Sequence, residues 1–332
     1  RSLTLDLKHP RGQEILHALV RDSDALVHNM RARSATKLGA SYDTLKKVNP
    51  SLVYCYSPGF GSLGPDADAP AYDDIIQSRS GLTDLNANSE GAPQFLRTIA
   101  ADKVVGLHLA LAVASGLIQK ERTGKGVCIE APMLESMVSF LLSEHLAGKT
   151  LVPSEGDLGY DRMMTPNRKP HKTKDGYLVI LPYSTRHWIR FFQLCELEDW
   201  ATANKVVDPV LRSEHIDELY GKISELAPSK TTAEWLKVLA EQDIPCADVN
   251  SLDDIMTDEH LVAAQMFHQD TDPRIGDYLE IRPPFQVDGK LAHEETPNRA
   301  APGLGENNDD ILSELGYSAE DINALKQDSV VG

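Results

Sequence analysis

The chain has 332 residues, 41% of them hydrophobic and 25% charged, the balance of a globular protein with room for one large or two ordinary domains. A formal net charge of -17 excludes nucleic acid as the main partner, because phosphate-backbone binding needs clustered Lys and Arg. No apolar run approaches the roughly 20 residues of a membrane span, and no basic stretch leads into an apolar signal core, so a cytoplasmic protein with no membrane partner is expected.

Taken in chain order, Ser2 to Leu7 alternates apolar and polar residues like a short strand. Pro10 opens a helix that carries Ile15, Leu16, Ala18 and Leu19 on one face. Ala25 to His28 and Leu52 to Tyr56 read as strands, with a helix around Tyr42 to Val48 between them. The turn residues from Pro58 to Pro65 break this pattern. A long helix follows from about Ala101 to Glu121, with Val104, Leu107, Leu111, Val113 and Leu117 spaced for burial. Gly124 and Gly126 end it, Val127 to Ala131 reads as a strand, and Pro132 starts an apolar helix to about Leu146. Strand alternating with helix predicts a parallel, helix-covered sheet.

Beyond Gly148 the texture changes, and residues 150–176, rich in Pro, Gly and charge, read as a boundary. Tyr177 to Leu181 reads as a strand and Arg186 to Leu194 as a helix with Trp188 and Phe192 toward a core. Helical patterns recur at 208–226 and 231–242, before a strand from Cys246 to Val249. The tail from about Pro302 to Leu325 predicts a turn and two short acidic helices, with Ser318 capping the second and Asp321 completing a capping box. The domain boundaries that follow are 1–160 for a large domain, 161–282 for a small one, and 283–332 for a segment returning to the large one.

Cys55, Cys128, Cys195 and Cys246 form no CxxC pair, which fits reduced thiols better than a disulfide framework. The 11 histidines show no metal-ligand spacing, so no metal is expected. Arg162, Arg168, Lys169, His171, Lys172 and Lys174 form a basic patch in an acidic chain. It reads equally as an anion-attracting surface and as a solvated loop.

The most informative segment is Thr123 to Ser136. A glycine turn feeds a strand, Pro132 turns the strand into a helix, and Glu135 falls in the helix's first turn. Carboxylates ionise well below neutral pH, and the helix dipole and free N–H groups favour one there by roughly 0.3–1 kcal/mol. From the residues alone, Glu135 reads as a helix-start residue or as a carboxylate nucleophile.

Gly124, Gly126, Ile129, Glu130, Met133 and Glu135 resemble the hallmark run of the family III CoA-transferases, a group that includes formyl-CoA and carnitine CoA-transferases and the α-methylacyl-CoA racemases. Two departures are Val127 where the family has Gln and Glu135 where it has the catalytic Asp; the extra methylene moves the reacting oxygen by about 1.5 Å. The resemblance extends through most of the chain. Asn29, Met30, Arg31 and Lys37 take the places of a CoA-holding segment, and the basic Arg31, Arg33 and Lys37 suit its phosphates. Gly59 and Gly61 match the family's glycine loop. Tyr72 stands where the racemase branch has a catalytic His, which favours transfer over racemisation, and Tyr72 and Gln77 read as bordering the acyl pocket or as packing residues. Asp102 matches the start of the long helix, where it reads as a cap or salt-bridge partner. Thr173 to Tyr177, Trp188 and Pro302 to Gly316 resemble later family signatures, with Asn307 replacing a His. The family's first βαβ unit has no counterpart in the sequence.

The resemblance implies an α/β fold with a Rossmann-like large domain and a smaller α+β domain, in an interlocked homodimer. It implies a CoA-transferase that binds no permanent cofactor and takes an acyl-CoA and a small carboxylic acid as substrates. Glu135 would form an acyl anhydride and then a glutamyl-CoA thioester; Asn29, Met30, Arg31, Lys37, Gly59, Gly61 and Tyr72 would line the CoA site. Two alternatives stay open: an acyl-CoA racemase or isomerase that moves an α-proton, and an inactive CoA-binding homologue.

Overall fold

Three short parallel strands organise the first half: β1 (Ala25–His28), β2 (Val53–Tyr56) and β3 (Val127–Glu130), hydrogen-bonded in the order β1-β2-β3. They belong to a computed structural model that describes residues 1–203, 206–291 and 301–332. Each strand gap is crossed by helices, as parallel pairing requires. Pro10–Arg21 leads into β1; Ala32–Lys37 and Tyr42–Val48 join β1 to β2; Asp73–Arg79, Leu82–Leu85 and Ala100–Thr123 join β2 to β3. Met133–His145 leaves β3. Successive strand residues face opposite sides, so Val53, Val127 and Ile129 meet the long helix while Tyr54 and Tyr56 pack with Tyr42 on the other side.

The long helix corrects two sequence expectations. Leu107 and Leu111 are 73% and 64% exposed, because the helix approaches the sheet through small residues instead. A Cβ at Gly116 would lie 2.5 Å from a Val53 methyl, so glycine alone permits this approach. Ala101, Val105 and Gly116 are its buried residues. No charge interrupts Val104 to Gln119, and an 18-residue window has a mean hydropathy of 1.5. By length and composition the helix is therefore long and apolar enough to cross a membrane, contrary to the first reading.

Ser2–Leu7 forms no strand. Its backbone instead finds partners in the C-terminal segment: Ser2 N–H donates to Asn307 Oδ1, Thr4 N–H to Asn308 Oδ1 and Asp6 N–H to the Val330 carbonyl. That segment folds as the helices Asn308–Glu314 and Ala319–Gln327, the second opened by the capping box of Ser318 and Asp321. Residues 1–145 and 301–332 thus make one compact unit.

Residues 146–300 make the other. Its antiparallel sheet joins β4 (His171–Lys172), β5 (Tyr177–Ile180) and β6 (Cys246–Asp248). Leu178 and Ile180 on β5 meet Trp188, Phe191 and Phe192 from the helix Thr185–Leu194, Tyr220 from Ile216–Leu226 and Trp235 from Thr232–Glu241, in one aromatic core. A hairpin of β7 (Phe267–Asp272) and β8 (Gly276–Ile281) follows, then the two-stranded β9 (Gln286–Val287) and β10 (Lys290–Leu291). The stretch 150–176, read as a boundary, contains the short helix Asp161–Met164 and β4.

Candidate active site

The three parallel strands end in register: His28 pairs with Tyr56, and Tyr56 with Glu130. The loops beyond them therefore leave from one edge of the sheet, the carboxyl edge where open α/β sheets gather their ligand sites. Asn29 to Arg31 follow β1, Ser57 to Gly61 follow β2, and Ala131 to Glu135 follow β3.

The first loop is fixed by a residue the sequence reading passed over. His28 Nδ1 accepts the Met30 N–H at 3.0 Å, so the ring's proton sits on Nε2 and is donated to the Tyr54 hydroxyl at 2.5 Å. Tyr54 in turn donates to the Ala40 carbonyl at 2.9 Å. Burial holds His28 below the usual imidazole range, which keeps the ring neutral and this relay intact.

Asn29, Met30, Arg31, Gly59 and Tyr72 line one cleft of about 390 Å³, together with Ser34, Ser57, Asp102 and Met133. Arg31 and Ser34 also line a second hollow of about 230 Å³, which Arg33, Lys37 and Asp68 complete. Arg31 donates to the Asp68 main-chain oxygen at 2.8 Å. Among the described residues no salt bridge ties Arg31, Arg33 or Lys37 to a carboxylate, so three cationic groups stand ready for an anionic ligand.

Glu135 and Gly61 lie two residues beyond the wall residues Met133 and Gly59. The helix's first N–H groups are not free, as the sequence reading supposed. Met133 N–H donates to the Pro58 carbonyl at 2.9 Å and Leu134 N–H to the Gly59 carbonyl at 3.1 Å, so the glycine loop lies across the helix start. The exposed Glu135 carboxylate instead accepts the Gly61 N–H on Oε1 at 2.9 Å. A Cβ on Gly61 would come within 2.3 Å of that oxygen, so the contact requires glycine.

Tyr72, 79% exposed, presents its ring to the cleft without a structural partner for its hydroxyl among the described bonds. Asp102 does not cap its helix, whose cap position is Ile99. Its carboxyl belongs to the cleft wall, and partial burial and the charge of Asp73 raise its pKa. Gln77, fully buried, packs: it donates to Asp73 and to the Thr98 carbonyl and accepts the Leu96 N–H. Among the described residues no group of three or more His, Cys, Asp or Glu is placed to hold a metal ion.

The family model for CoA-transferase family III matches residues 1–308. The chain belongs to that family. Formyl-CoA:oxalate CoA-transferase from Rhodopseudomonas palustris strain BisB18 is 28% identical over 348 residues, spanning 97% of this chain and 80% of the relative. An acyl-CoA transferase from Fusarium pseudograminearum is 27% identical over 333 residues, spanning 100% of this chain and 72% of the relative. Among solved structures, a CaiB/BaiF family protein from Brucella suis superposes with a TM-score of 0.73 at 26% identity, covering 95% of this chain and 81% of the other. Rv3272 from Mycobacterium tuberculosis shares the fold at a TM-score of 0.79 and 22% identity, with coverages of 94% and 83%.

This family III CoA-transferase is thus a mixed α/β enzyme whose class takes CoA esters as substrates. The structure divides the basic patch in residues 162–174: Arg168, Lys169 and His171 line one cleft of about 200 Å³ in the second unit, with His171 also bonded to Ser224 Oγ at 2.9 Å, while Arg162 stacks 4.6 Å from the Tyr183 ring centroid.

Proposed function

We propose that the chain transfers CoA from an acyl-CoA to a carboxylic acid with Glu135 as the nucleophile. The observation that carries this reading is the hydrogen bond between Gly61 N–H and Glu135 Oε1, each residue two positions along the chain from a wall residue, Gly59 or Met133, of the cleft that Arg31 also lines. Arg31, Arg33 and Lys37 suit the CoA phosphates, and Asn29, Met30, Gly59 and Tyr72 suit the pantetheine arm and acyl group.

The steps balance without an outside energy source. The Glu135 carboxylate attacks the thioester carbonyl, the C–S bond breaks, and the CoA thiolate leaves with the electron pair. The thiolate attacks the Glu135 carbonyl of the resulting anhydride, freeing the donor's carboxylate and forming a glutamyl-CoA thioester. The acceptor carboxylate attacks that thioester, expelling thiolate, which then attacks the acceptor's carbonyl and frees Glu135. Each attack on the Glu135 carbonyl builds negative charge on its oxygen, where the Gly61 N–H already points. Because the relatives include formyl-CoA:oxalate CoA-transferases, formyl-CoA and oxalate are the first pair to assay.

The chain acts as a homodimer in this reading. The exposed Leu107, Leu111 and Ile118 on the long helix supply the apolar surface that a second copy would cover.

Hydroxylamine trapping in the presence of acyl-CoA tests the mechanism: a hydroxamate at Glu135, absent in Glu135→Ala, is the expected result. Covalent adduct persisting in Glu135→Ala removes the assignment. CoA binding without adduct or exchange makes the chain an inactive binder. Deuterium entering at the substrate Cα without an acceptor acid makes it an isomerase, with Asp102 the carboxyl in reach of the cleft.

A further inference from the structure

We propose that Glu130 is a positioning residue for this chemistry, fixing the glycine loop from its far side so that the Gly61 N–H stays on the Glu135 carboxylate. The proposal rests on the reading of Glu135 as nucleophile.

Glu130 ends β3, five residues before Glu135, and its two oxygens hold a single residue of the loop. Ser62 N–H donates to Glu130 Oε1 at 2.9 Å and Ser62 Oγ donates to Oε2 at 2.7 Å. On the near side, the Pro58 and Gly59 carbonyls are held by the N–H groups of Met133 and Leu134. Gly61 therefore lies between two anchored points, and its N–H direction is set by both. Phe60 is buried with Ile76 and Met137, so what the Ser62 anchor governs is the chain beyond Phe60, where without it Glu135 would become a hydrogen-bonded hold on Gly61. The nucleophile would then have to give up a structural bond in order to react.

The bland reading of Glu130 is a polar strand end that a surface serine happens to meet. Against it stands the use of both carboxylate oxygens on adjacent donors of one residue, a charge-assisted and directional contact. Tyr56, its cross-strand partner on β2, stands beside the same carboxylate; burial first and the Glu130 charge second push its phenol up to about 12. Ser62 itself is exposed, so the contact adds little to global stability. Its effect falls on the position of the loop, where displacements of about 1 Å cost roughly 100-fold in rate.

Two readouts test this separately. Amide hydrogen exchange in the peptide spanning residues 58–63 should speed up in Glu130→Ala, with melting temperature nearly unchanged. In single-turnover assays, Glu130→Ala should form the Glu135 adduct roughly 10- to 100-fold more slowly, yet reach the wild-type end-point. Steady-state kcat should fall with it while KM for the CoA ester holds within about 2-fold. Glu130→Gln should recover most of the rate, because its amide oxygen still accepts the Ser62 N–H and the Ser62 hydroxyl can turn to accept from its NH2. Unchanged exchange in Glu130→Ala overturns the clamp. Faster exchange with an unchanged turnover rate, or a loss only in adduct end-point, overturns the positioning role. Should wild-type protein form no adduct, the nucleophile reading fails on its own evidence, and exchange alone decides whether the clamp exists.

Discussion

The two compact units bury their apolar residues in different ways. The second gathers Trp188, Phe191, Phe192, Tyr220 and Trp235 around Leu178 and Ile180 into one cluster that closes on itself. The first divides its burial into three: Phe60 with Ile76 and Met137, Ile15 with Leu312 and Leu325, and Leu45 with Leu52 and Tyr54. Between these clusters runs a sheet edge that carries backbone N–H groups, carboxylates and a cleft, and along the long helix large apolar side chains reach solvent. A unit whose core closes can stand as scaffold; one whose core is split leaves polar edges for chemistry and an apolar face for association.

The sharpest way to break this comparison is to charge the open face. Leu107→Glu with Leu111→Glu places two carboxylates on exposed helix positions, which an isolated chain would accept within about 0.5 kcal/mol. If a second copy covers that face, the same pair leaves uncompensated charges at an apolar interface and weakens association by at least roughly 1,000-fold, about 4 kcal/mol. Light scattering should then read about the chain mass of 36.5 kDa for the variant and twice that for the wild type. An unchanged mass would leave the exposed leucines unexplained by self-association.

Next in size is the site itself. Gly61→Ala drives a methyl toward Glu135 Oε1, to a position 2.3 Å away in the unrelaxed backbone, so the loop or the carboxylate must shift. The nucleophile's placement suffers while the split core is untouched. A kcat loss of roughly 100-fold, with melting lowered by only a few degrees, is expected. Wild-type turnover in Gly61→Ala would show that the Gly61–Glu135 contact is incidental to the reaction.

Much of this molecule could be read ahead of its coordinates because its signals are local. The strand Ala25–His28 and the helices Pro10–Arg21 and Tyr42–Val48 follow from periodicity and turn residues within a dozen positions. Gly124, in a left-handed conformation at φ 68°, ends the long helix where the glycine turn predicts. What escaped was set by partners distant in sequence. Ser2–Leu7 alternates like a strand, yet its donors were claimed by Asn307, Asn308 and Val330, some 300 residues away. Leu107 and Leu111 have burial spacing, but Gly116 and Ala101 decide which helix face meets the sheet. Around the candidate site, the motif singles out Glu135 as a candidate, whereas the hold of Glu130 on Ser62 spans 68 residues and has no periodic trace. His28 was missed, and Asp102 was read as a cap or salt-bridge partner, for the same reason: each takes its place through neighbours brought up by the fold, Met30 in one case and the cleft wall in the other.

The smallest expected effect comes from the closed core of the second unit and separates it from the carboxylate edge of the first. His171 is buried on β4, and burial, with a smaller contribution from the Lys169 charge, lowers its pKa from 6.5 to about 4. The unfolded ring takes its proton near pH 6.5 and the folded ring only near pH 4, so between those values the unfolded state binds more protons and stability falls as pH falls. Below that window both states are protonated and the loss is complete. At 1.36 kcal/mol per unit, discounted for the solvent that reaches a ring bonded to Ser224, the loss is about 2 kcal/mol. Carboxylates that release stability in acid follow the same direction, so the wild-type curve alone cannot assign it; His171→Gln can. Urea unfolding should show the variant less stable at pH 7, with the gap narrowing by about 2 kcal/mol at pH 4, since glutamine has no proton to take up. A gap that stays constant would mean that the folded ring accepts a proton as readily as the unfolded one, and that the second unit's core is open to water at β4. His28 in the first unit, lowered by burial alone, tilts stability the same way, so the His171→Gln difference should be measured again in a His28→Asn background. The two contributions should add, because neither ring shares a hydrogen-bond partner with the other.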